Sequence, residues 1–288
     1  MSATVTPVAE IVWKPNDKQA KFISLPDSIY EAFYGGAAGG GKSEVGLLLP
    51  IVREFYKVPG FHGGIFRRTF PQLEASLIKR AHEIYPHTGG VYNDQKKYYK
   101  WPNGARISFC HAEHEHDIDK YDTTEFNYVF FDELTHFSER QYKFIAFSRV
   151  RSKFIQVQPL VRSASNPGNV GHSWVRKRFV EPCKEGFKIL LRTVITSKGP
   201  QQIKSIFIPA RLDDNPYLAT SDPLYEARMS ELPEADRRAK RDGDWWTFSG
   251  QVFSEFRSEH FAGEPDHAIH VIPPQIPDPR LPRILSID

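Results

Sequence analysis

Residues Tyr34–Ser43 read Y-G-G-A-A-G-G-G-K-S, and segment 36–43 matches the P-loop pattern G-x-x-x-x-G-K-[ST] at every fixed position. The largely apolar run 29–34 before it predicts a buried strand. Segment 44–56 after it has the pattern of a helix interrupted at Pro50. Glycines let such a loop adopt positive φ, so that its N–H groups converge on a phosphate. A glycine-rich turn with a chance Lys-Ser would lack this order of strand, loop and helix, so the stretch predicts binding of a nucleoside triphosphate.

The P-loop pattern assigns a role to each of its residues. Lys42 is expected to reach the β- and γ-phosphates of ATP, and the Ser43 hydroxyl is expected to ligate Mg²⁺. The N-terminus of the following helix adds partial positive charge. The predicted phosphate cradle consists of Gly36, Ala37, Ala38, Gly39, Gly40, Gly41, Lys42 and Ser43. ATP and Mg²⁺ are therefore the expected cofactors.

A second motif, Tyr128–Glu133, reads Y-V-F-F-D-E. Its four apolar residues predict a fully buried strand that ends in two carboxylates. We expect Asp132 to hold the Mg²⁺ shell through water and Glu133 to polarise the attacking water as a general base. An apolar run followed by Asp-Glu is common by itself, but behind a complete P-loop it indicates a Walker B strand. The acid pair favours hydrolysis over transfer to a substrate hydroxyl.

The bulk composition fits one large domain, or one domain plus part of another. The chain has 288 residues, of which 40% are hydrophobic and 13% aromatic, which is enough for a well-filled core. No run approaches the roughly 20 apolar residues of a membrane span, and the N-terminus lacks a signal-peptide pattern. Cys110 and Cys183 make neither a metal nor a disulfide framework, which favours a reduced compartment.

Charge is unevenly distributed, although the net charge is only +3. Residues 140–192 contain twelve Lys and Arg against two acids, Glu181 and Glu185. Such an excess predicts a polyanion partner, and a solvated basic face is the alternative.

Polar residues at predicted strand ends suggest further roles. Gln19, upstream of the P-loop, could pair with N6 and N7 of adenine, or it could simply face solvent. The segment S-A-S-N-P-G, which ends the predicted strand 155–166, could sense the γ-phosphate, or it could be a plain type I turn. Arg67 and Arg68 follow a short predicted strand, at the edge where open α/β sheets bind ligands. Arg149 and Arg151, in a predicted helix, are expected near the same edge.

Together these segments resemble the ATPase domain of the large terminase subunit of tailed bacteriophages. The resemblance rests, in order, on Gln19, G-G-A-A-G-G-G-K-S, F-R-R-T-F-P-Q-L, Y-V-F-F-D-E-L-T-H-F, S-R-V-R and S-A-S-N-P-G. It continues through R-L-D-D-N-P-Y-L (211–218) and L-P-E-A-D-R-R-A-K-R-D-G-D-W-W (232–246), which look like the family's linker subdomain.

The resemblance implies an α/β P-loop NTPase fold of the ASCE type, with a central, mostly parallel sheet flanked by helices and a small helical linker or lid. It implies a motor that hydrolyses ATP to drive DNA into a procapsid in the host cytoplasm. The expected partners are double-stranded DNA, the portal protein, the small terminase subunit and further copies of the chain in a ring, usually of five. No membrane partner is expected.

The same resemblance carries over to single residues. Gln19 matches the adenine-contacting glutamine, and the segment from Ser163 to Asn166 matches the motif that couples nucleotide state to the grip on DNA. Many relatives carry an arginine inside the P-loop, where this chain has alanines. The arginine that stabilises the transition state must then come from elsewhere, in cis or from a neighbouring subunit. Candidates are Arg67, Arg68, Arg149 and Arg151, with Arg68 and Arg149 as the working assignments.

The last segment, Arg283–Asp288, reads R-I-L-S-I-D and resembles the first strand of the family's RNase H-like nuclease domain. Asp288 matches its first metal-binding carboxylate. Two-metal cleavage needs several converging carboxylates, so we expect no endonuclease activity from this chain. The expected domains are the P-loop ATPase domain at 1–212, the linker or lid at 213–262, and a tether with the first nuclease strand at 263–288.

The predicted function is therefore an ATPase motor that translocates double-stranded DNA. A P-loop helicase would share both motifs, but it would need a second motor domain, for which no motif is present. An ATP-binding switch or scaffold with little turnover is the other alternative, and Glu133 argues against it. A P-loop kinase is the least favoured, because no acceptor-binding motif is recognisable.

Overall fold

A computed structural model of the chain describes residues 13–152 and 157–246. The nine strands of this part form one sheet in the order β3-β4-β5-β2-β6-β7-β1-β9-β8. Six neighbouring strands, from β5 to β9, are parallel, and β4 and β8 run antiparallel to them. The strands are β1 Glu31–Gly36, β2 His62–Arg67, β3 Val91–Asn93, β4 Tyr98–Lys100, β5 Arg106–His111, β6 Tyr128–Asp132, β7 Leu160–Ser165, β8 Ile189–Thr196 and β9 Gly199–Ala210.

Short helices connect the strands, and several of them continue into π-helical turns. The α-helices are α1 Asp17–Ile23, α2 Lys42–Val52, α3 Phe70–Gln72, α4 Lys79–Ile84, α5 Glu139–Phe144, α6 His172–Val175, α7 Pro216–Ser221, α8 Tyr225–Ser230 and α9 Glu234–Lys240. The π-helical turns are Leu73–Ile78, Ile145–Arg149 and Arg176–Val180. Across the described ranges, every helix is too short or too polar to cross a bilayer.

Helices cover both faces of the sheet, so two hydrophobic clusters flank it. Along β1, Ala32 and Tyr34 pack into one cluster, while Phe33 packs into the other. β6 divides in the same way, with Phe130 on the first face and Phe131 on the second. A strand buried on both faces contains only buried residues, which explains the continuous apolar run of the Walker B segment.

The sheet order confirms the predicted α/β fold. β7 lies between β1, which leads into the P-loop, and β6, which carries the acid pair. An inserted strand at this position defines the ASCE arrangement. The Asn103-Gly104 turn, a typical hairpin signal, connects β4 and β5, which pair antiparallel across it. The carboxyl ends of β1, β2, β6 and β7 therefore meet at one edge.

At the opposite, amino edge, His62 predicts a measurable acid sensitivity. It is 6% exposed, and its ring nitrogens contact the Glu125 carbonyl and the Ser108 hydroxyl at 2.8 and 2.9 Å. Burial, assisted by Arg106, lowers the pKa of His62 to about 3. As pH falls below 6.5, the His62 imidazole becomes protonated in the unfolded chain but stays neutral in the folded chain. The free energy of unfolding is therefore highest above pH 6.5, and the His62 contribution lowers it by about 2 kcal/mol between pH 7 and pH 5.

Urea denaturation at pH 7 and pH 5 checks this expectation. His62→Gln should lose markedly less stability over that interval than the parent, whereas His87→Gln, at an exposed position, should behave like the parent. Equal pH dependence in all three proteins would contradict it.

Candidate active site

The P-loop joins β1 to α2 at the carboxyl edge of the sheet. Gly36 has a φ of 139°, and a Cβ there would lie 2.1 Å from the Ala210 carbonyl oxygen. Only glycine fits this position. The Ala37 N–H donates to the same oxygen over 2.9 Å. Gly39 and Gly41 also have positive φ, so the loop has the strand–loop–helix geometry that the sequence predicts.

Lys42 lies buried at the start of α2, and its ammonium donates to the Ala37 carbonyl inside the loop. Burial lowers the pKa of Lys42 to about 8, and the carboxylates of Glu133 and Asp132 oppose this shift. The ammonium is thus already at the loop, where it can exchange a carbonyl oxygen for a phosphate oxygen.

Asp132 ends β6 directly beside the start of α2. The Ser43 hydroxyl donates to its Oδ1 over 2.8 Å, and its buried Oδ2 has no hydrogen-bond partner among the described residues. Burial and the neighbouring Glu133 raise the pKa of Asp132, while Arg67 opposes them. A hydroxyl beside an unsatisfied carboxylate oxygen matches the oxygen ligands that Mg²⁺ or its water shell requires. Ser43 and Asp132 therefore fit a metal site.

Arg67 approaches this acid from the neighbouring strand β2. Its Nε lies 3.5 Å from Asp132 Oδ2, and its Nη1 is held by the Gln72 carbonyl and the Ser76 hydroxyl. Arg68 points elsewhere and donates to the His136 carbonyl at 3.3 Å and to Gln141 Oε1 at 3.2 Å. Of these two arginines, Arg67 lies within ion-pair distance of Asp132, and Arg68 holds the segment that follows the acid pair.

Arg149 and Arg151 lie at the amino edge, so their expected placement is wrong. Their main chains pair with Phe126, which precedes β6, over 2.9 and 2.8 Å. Six residues of extended chain, roughly 20 Å, separate Phe126 from Asp132. The helical stretch 139–149 leaves the carboxyl edge and runs back along the sheet, a direction that its local pattern does not encode. Arg149 therefore cannot reach the P-loop of its own chain, and a catalytic role requires a neighbouring subunit.

Glu133 has φ 55° and ψ 56°, a left-handed conformation that is uncommon for a non-glycine residue. Its Oε2 lies 3.5 Å from the Ser165 hydroxyl at the end of β7. Thr135, fully buried, connects the two turns: its N–H donates to Ser165 Oγ over 3.1 Å, and its hydroxyl contacts Ser165 Oγ at 2.7 Å and the Asn166 carbonyl at 3.1 Å. Thr135 thus links the predicted general base to the predicted coupling segment, which the sequence did not reveal.

Removing the Thr135 hydroxyl should slow turnover without weakening nucleotide binding. Ser165 has one proton to donate, either to Glu133 or to Thr135, so loss of Thr135 changes how Ser165 positions the base. We expect Thr135→Val, which preserves the shape, to lower kcat about tenfold with little change in ATP affinity. Thr135→Ser, which keeps the hydroxyl, should restore kcat; a similar loss in both variants would contradict a positioning role.

Gln19 lies against the P-loop, but its side chain is already engaged. Asn16 caps α1, and its N–H donates to Gln19 Oε1 over 2.9 Å. Gln19 Nε2 donates to the Gly41 carbonyl over 2.9 Å. The adenine contact stays a prediction, and in this conformation Gln19 braces α1 on the loop.

The end of α9 and the segment that follows it pack directly on the P-loop, a contact that the sequence did not reveal. The Ala38 N–H donates to the Lys240 carbonyl over 2.6 Å. Gly243 has a φ of 68°, and a Cβ on it would lie 2.5 Å from the Ala37 nitrogen. Trp245 is buried between Phe33 of β1 and His172. The only local signal was the glycine and the paired tryptophans of D-G-D-W-W.

The basic stretch 140–192 presents less free charge than its composition predicts. Lys153 lies outside the described residues. Ion pairs with carboxylates engage Arg140, Lys143, Arg149, Arg151, Arg176, Arg178 and Arg192, and Arg162 is fully buried. The predicted nuclease ligand Asp288 and the whole segment 263–288 also lie outside the described residues.

Comparison with known proteins identifies relatives of this arrangement. The family described as terminase large subunit, T4likevirus-type, N-terminal, matches residues 34–260. No curated protein sequence matches the chain. The fold is similar to that of the large terminase from a thermophilic bacteriophage, with a TM-score of 0.60 at 15% identity over 81% of this chain and 54% of that one. The structure of that phage protein with ADP gives a TM-score of 0.59 at 15% identity, over 81% of this chain and 54% of that one. The structure with ATP-γ-S gives a TM-score of 0.56 at 15% identity, over 81% of this chain and 53% of that one. The chain thus spans about half the length of the solved terminases that it matches.

Proposed function

This chain belongs to the family of terminase large subunits, over the family's N-terminal part, and we propose that it is an ATP-hydrolysing motor that drives double-stranded DNA into a viral procapsid. The observation that carries the proposal is the meeting of P-loop and acid pair, with Ser43 hydrogen-bonded to Asp132 and Glu133 as the next residue. The similar terminase from a thermophilic bacteriophage has been solved with ADP and with ATP-γ-S, which supports a nucleotide at the corresponding loop.

ATP would bind with its phosphates against the P-loop. The N–H groups of the glycine-rich turn and the start of α2 surround the β-phosphate, and Lys42 exchanges the Ala37 carbonyl for phosphate oxygens. Ser43 and Asp132 would hold Mg²⁺, which when bound neutralises phosphate charge and orients the γ-phosphoryl group. Gln19 would contact adenine after breaking its hydrogen bond with the Asn16 N–H or with the Gly41 carbonyl.

Hydrolysis would proceed by attack of water on the γ-phosphorus. Glu133 accepts the proton of that water as the new P–O bond forms, and the bond to ADP breaks in line. Its carboxylate is positioned when Ser165 donates its proton to Glu133, and Thr135, which bonds both Ser165 and Asn166, competes for that proton and so couples the base to Asn166. Arg67, from the same chain, balances the negative charge of Asp132. Arg68 holds the turn after the acid pair through the His136 carbonyl.

An arginine from a neighbouring subunit could complete the site. Arg149 is too far from its own P-loop, and it would act at a neighbour's site after giving up its ion pair with Asp122. Such an arginine accelerates phosphoryl transfer by ~10³–10⁵ where it has been measured. This assignment requires the ring of subunits that the family resemblance implies.

The domain boundaries and the partners are also part of the proposal. We assign residues 1–212 to the ATPase domain and 213–262 to a linker or lid, whose described part contacts the P-loop through Lys240 and Gly243. The partners would be double-stranded DNA, the portal protein, the small terminase subunit and four further copies of the chain in the host cytoplasm.

Steady-state ATP hydrolysis, with and without non-specific double-stranded DNA, tests the proposal. We expect Mg²⁺-dependent turnover that Lys42→Ala abolishes, because the substitution removes the phosphate-binding ammonium. Coupling to DNA would appear as faster turnover in a portal-bound complex. Tight ATP binding without hydrolysis, even with portal present, would refute the motor and favour an ATP-binding switch.

A further inference from the structure

Residues 186–212 form a segment whose only charged side chains are basic. It contains no Asp or Glu, but it contains Lys188, Arg192, Lys198, Lys204 and Arg211. Most of this segment forms the hairpin of β8 and β9. Arg192 is paired with Glu31, and Arg211 lies beyond the end of β9. The three lysines are therefore the remaining positive charge of the segment, whereas the other cations of the stretch 140–192 are mostly paired with carboxylates or buried.

The hairpin extends beyond the sheet as a two-stranded arm, residues 191–204, and Lys188 lies at the base of this arm, immediately before β8. β1 pairs with β9 only from Ser205 to Ala210, while β8 pairs with β9 along its whole length, out to the Thr196–Gly199 pair. The six residues 199–204 of β9 thus project roughly 20 Å past the amino end of β1. β8 is also the last strand of the sheet, so its outer main-chain groups face no further strand among the residues that the structure describes.

Three lysines of this region carry unneutralised charge. Lys188 and Lys198 are exposed, Lys204 is half-buried, and no described carboxylate lies within ion-pair distance of any of them. Exposed amides and hydroxyls, including Thr193, Gln201 and Ser197, lie between them. Lysines on an edge strand sometimes have no role except to prevent edge-to-edge pairing with another chain. Edge protection is therefore the alternative to a binding role for these lysines.

We propose that the arm binds the sugar–phosphate backbone of double-stranded DNA, an inference that rests on the proposed motor function. A ribbon of two strands is narrow enough to enter the major groove, which is about 12 Å wide. Lysines and uncharged donors without any carboxylate are the groups that contact phosphates irrespective of sequence. Leu191, opposite Lys204, and Ile195, farther along the same face, are exposed and can pack on deoxyribose. An acidic protein surface would be recognised by the same lysines, and such a role would leave binding to duplex DNA unchanged when the lysines are replaced.

The experiment compares two triple variants of the full chain in duplex DNA binding, measured by fluorescence anisotropy across a salt series. The arm variant is Lys188→Gln, Lys198→Gln and Lys204→Gln. The matched control is Lys79→Gln, Lys96→Gln and Lys100→Gln, which removes the same charge from exposed lysines that also lack a described carboxylate partner. Thermal unfolding and DNA-independent ATP hydrolysis are recorded for both.

We expect the arm variant to bind duplex DNA about tenfold more weakly at about 0.1 M salt, with a slope of log affinity against log salt that is smaller by about 2 to 3. The control should change both quantities little, and neither variant should lose stability or basal hydrolysis. Equal weakening in both variants would overturn the proposal in favour of bulk charge, and unchanged DNA binding by the arm variant would overturn it in favour of edge protection or of an acidic protein partner. A parent that hydrolyses ATP but shows no salt-dependent DNA binding would overturn the arm assignment and leave the ATPase intact.

Discussion

Replacing Glu133 with Gln will leave ATP binding intact and reduce hydrolysis by about 10²–10⁴-fold, the usual contribution of general acid–base catalysis. The amide keeps the shape of the side chain and its approach to Ser165, but it cannot accept the proton of the attacking water. The left-handed backbone of Glu133 is unaffected, so the loss falls on kcat. Single-turnover hydrolysis and fluorescent-nucleotide binding, measured on the same preparation, separate the two effects.

The matched control is Glu139→Gln, which removes a carboxylate from the same helical segment beyond the acid pair. Glu139 pairs with Lys143 on the exposed side of α5, so its loss should leave both binding and turnover near the parent values. If the Glu133→Gln variant still hydrolyses ATP at the parental rate, the general base is a different residue. Loss of ATP binding in the same variant would instead give Glu133 a binding role.

Replacing Glu31 with Ala will destabilise the fold by about 3–5 kcal/mol, the usual cost of breaking a buried charge cluster by removing one partner. Glu31 is fully buried at the start of β1. Its Oε1 accepts from Tyr142 at 2.7 Å and from Arg178 at 2.8 Å, and its Oε2 accepts from Arg178 and Arg192 at 2.9 Å each. Loss of the carboxylate leaves two guanidinium groups facing each other without a counter-charge.

Urea denaturation at pH 7 measures this cost. Asp27→Ala is the control, because its pair with Arg53 is partly exposed and exposed pairs contribute about 1 kcal/mol or less. A loss below about 1 kcal/mol for Glu31→Ala would show that the desolvation of these charges cancels their attraction. Since Glu31 precedes the P-loop by one strand length, intact ATP binding in the surviving folded fraction would confirm that the effect is on stability.

The two motifs were predictable because their chemistry is local. A P-loop needs glycines, a lysine and a hydroxyl within one turn, and the segment from Gly36 to Ser43 contains them in order. The Walker B strand was readable because burial on both faces requires the continuous apolar run that Asp132 ends. The hairpin at Asn103-Gly104 was likewise encoded by its own turn residues.

The contacts between distant segments could not be read in this way. The sequence did not reveal that Arg149 returns to the amino edge, because the direction of a helix across a sheet depends on packing. It also did not separate Arg67 from Arg68, since one residue of register along β2 decides which of them faces Asp132. Thr135 looked like an ordinary residue after the acid pair, and its hydroxyl acquires a role only because β7 lies beside β6.

The sequence by itself determined the fold class, the family resemblance and the predicted roles of Lys42, Ser43, Asp132 and Glu133, because each depends on residues close in the chain. The tertiary structure decided which cations remain free, how the segment around Gly243 packs on the P-loop, and where the β8–β9 arm projects. These features depend on pairing between residues that are far apart in the chain. Charge neutralisation and burial are properties of such pairs, so the composition of a single segment cannot reveal them.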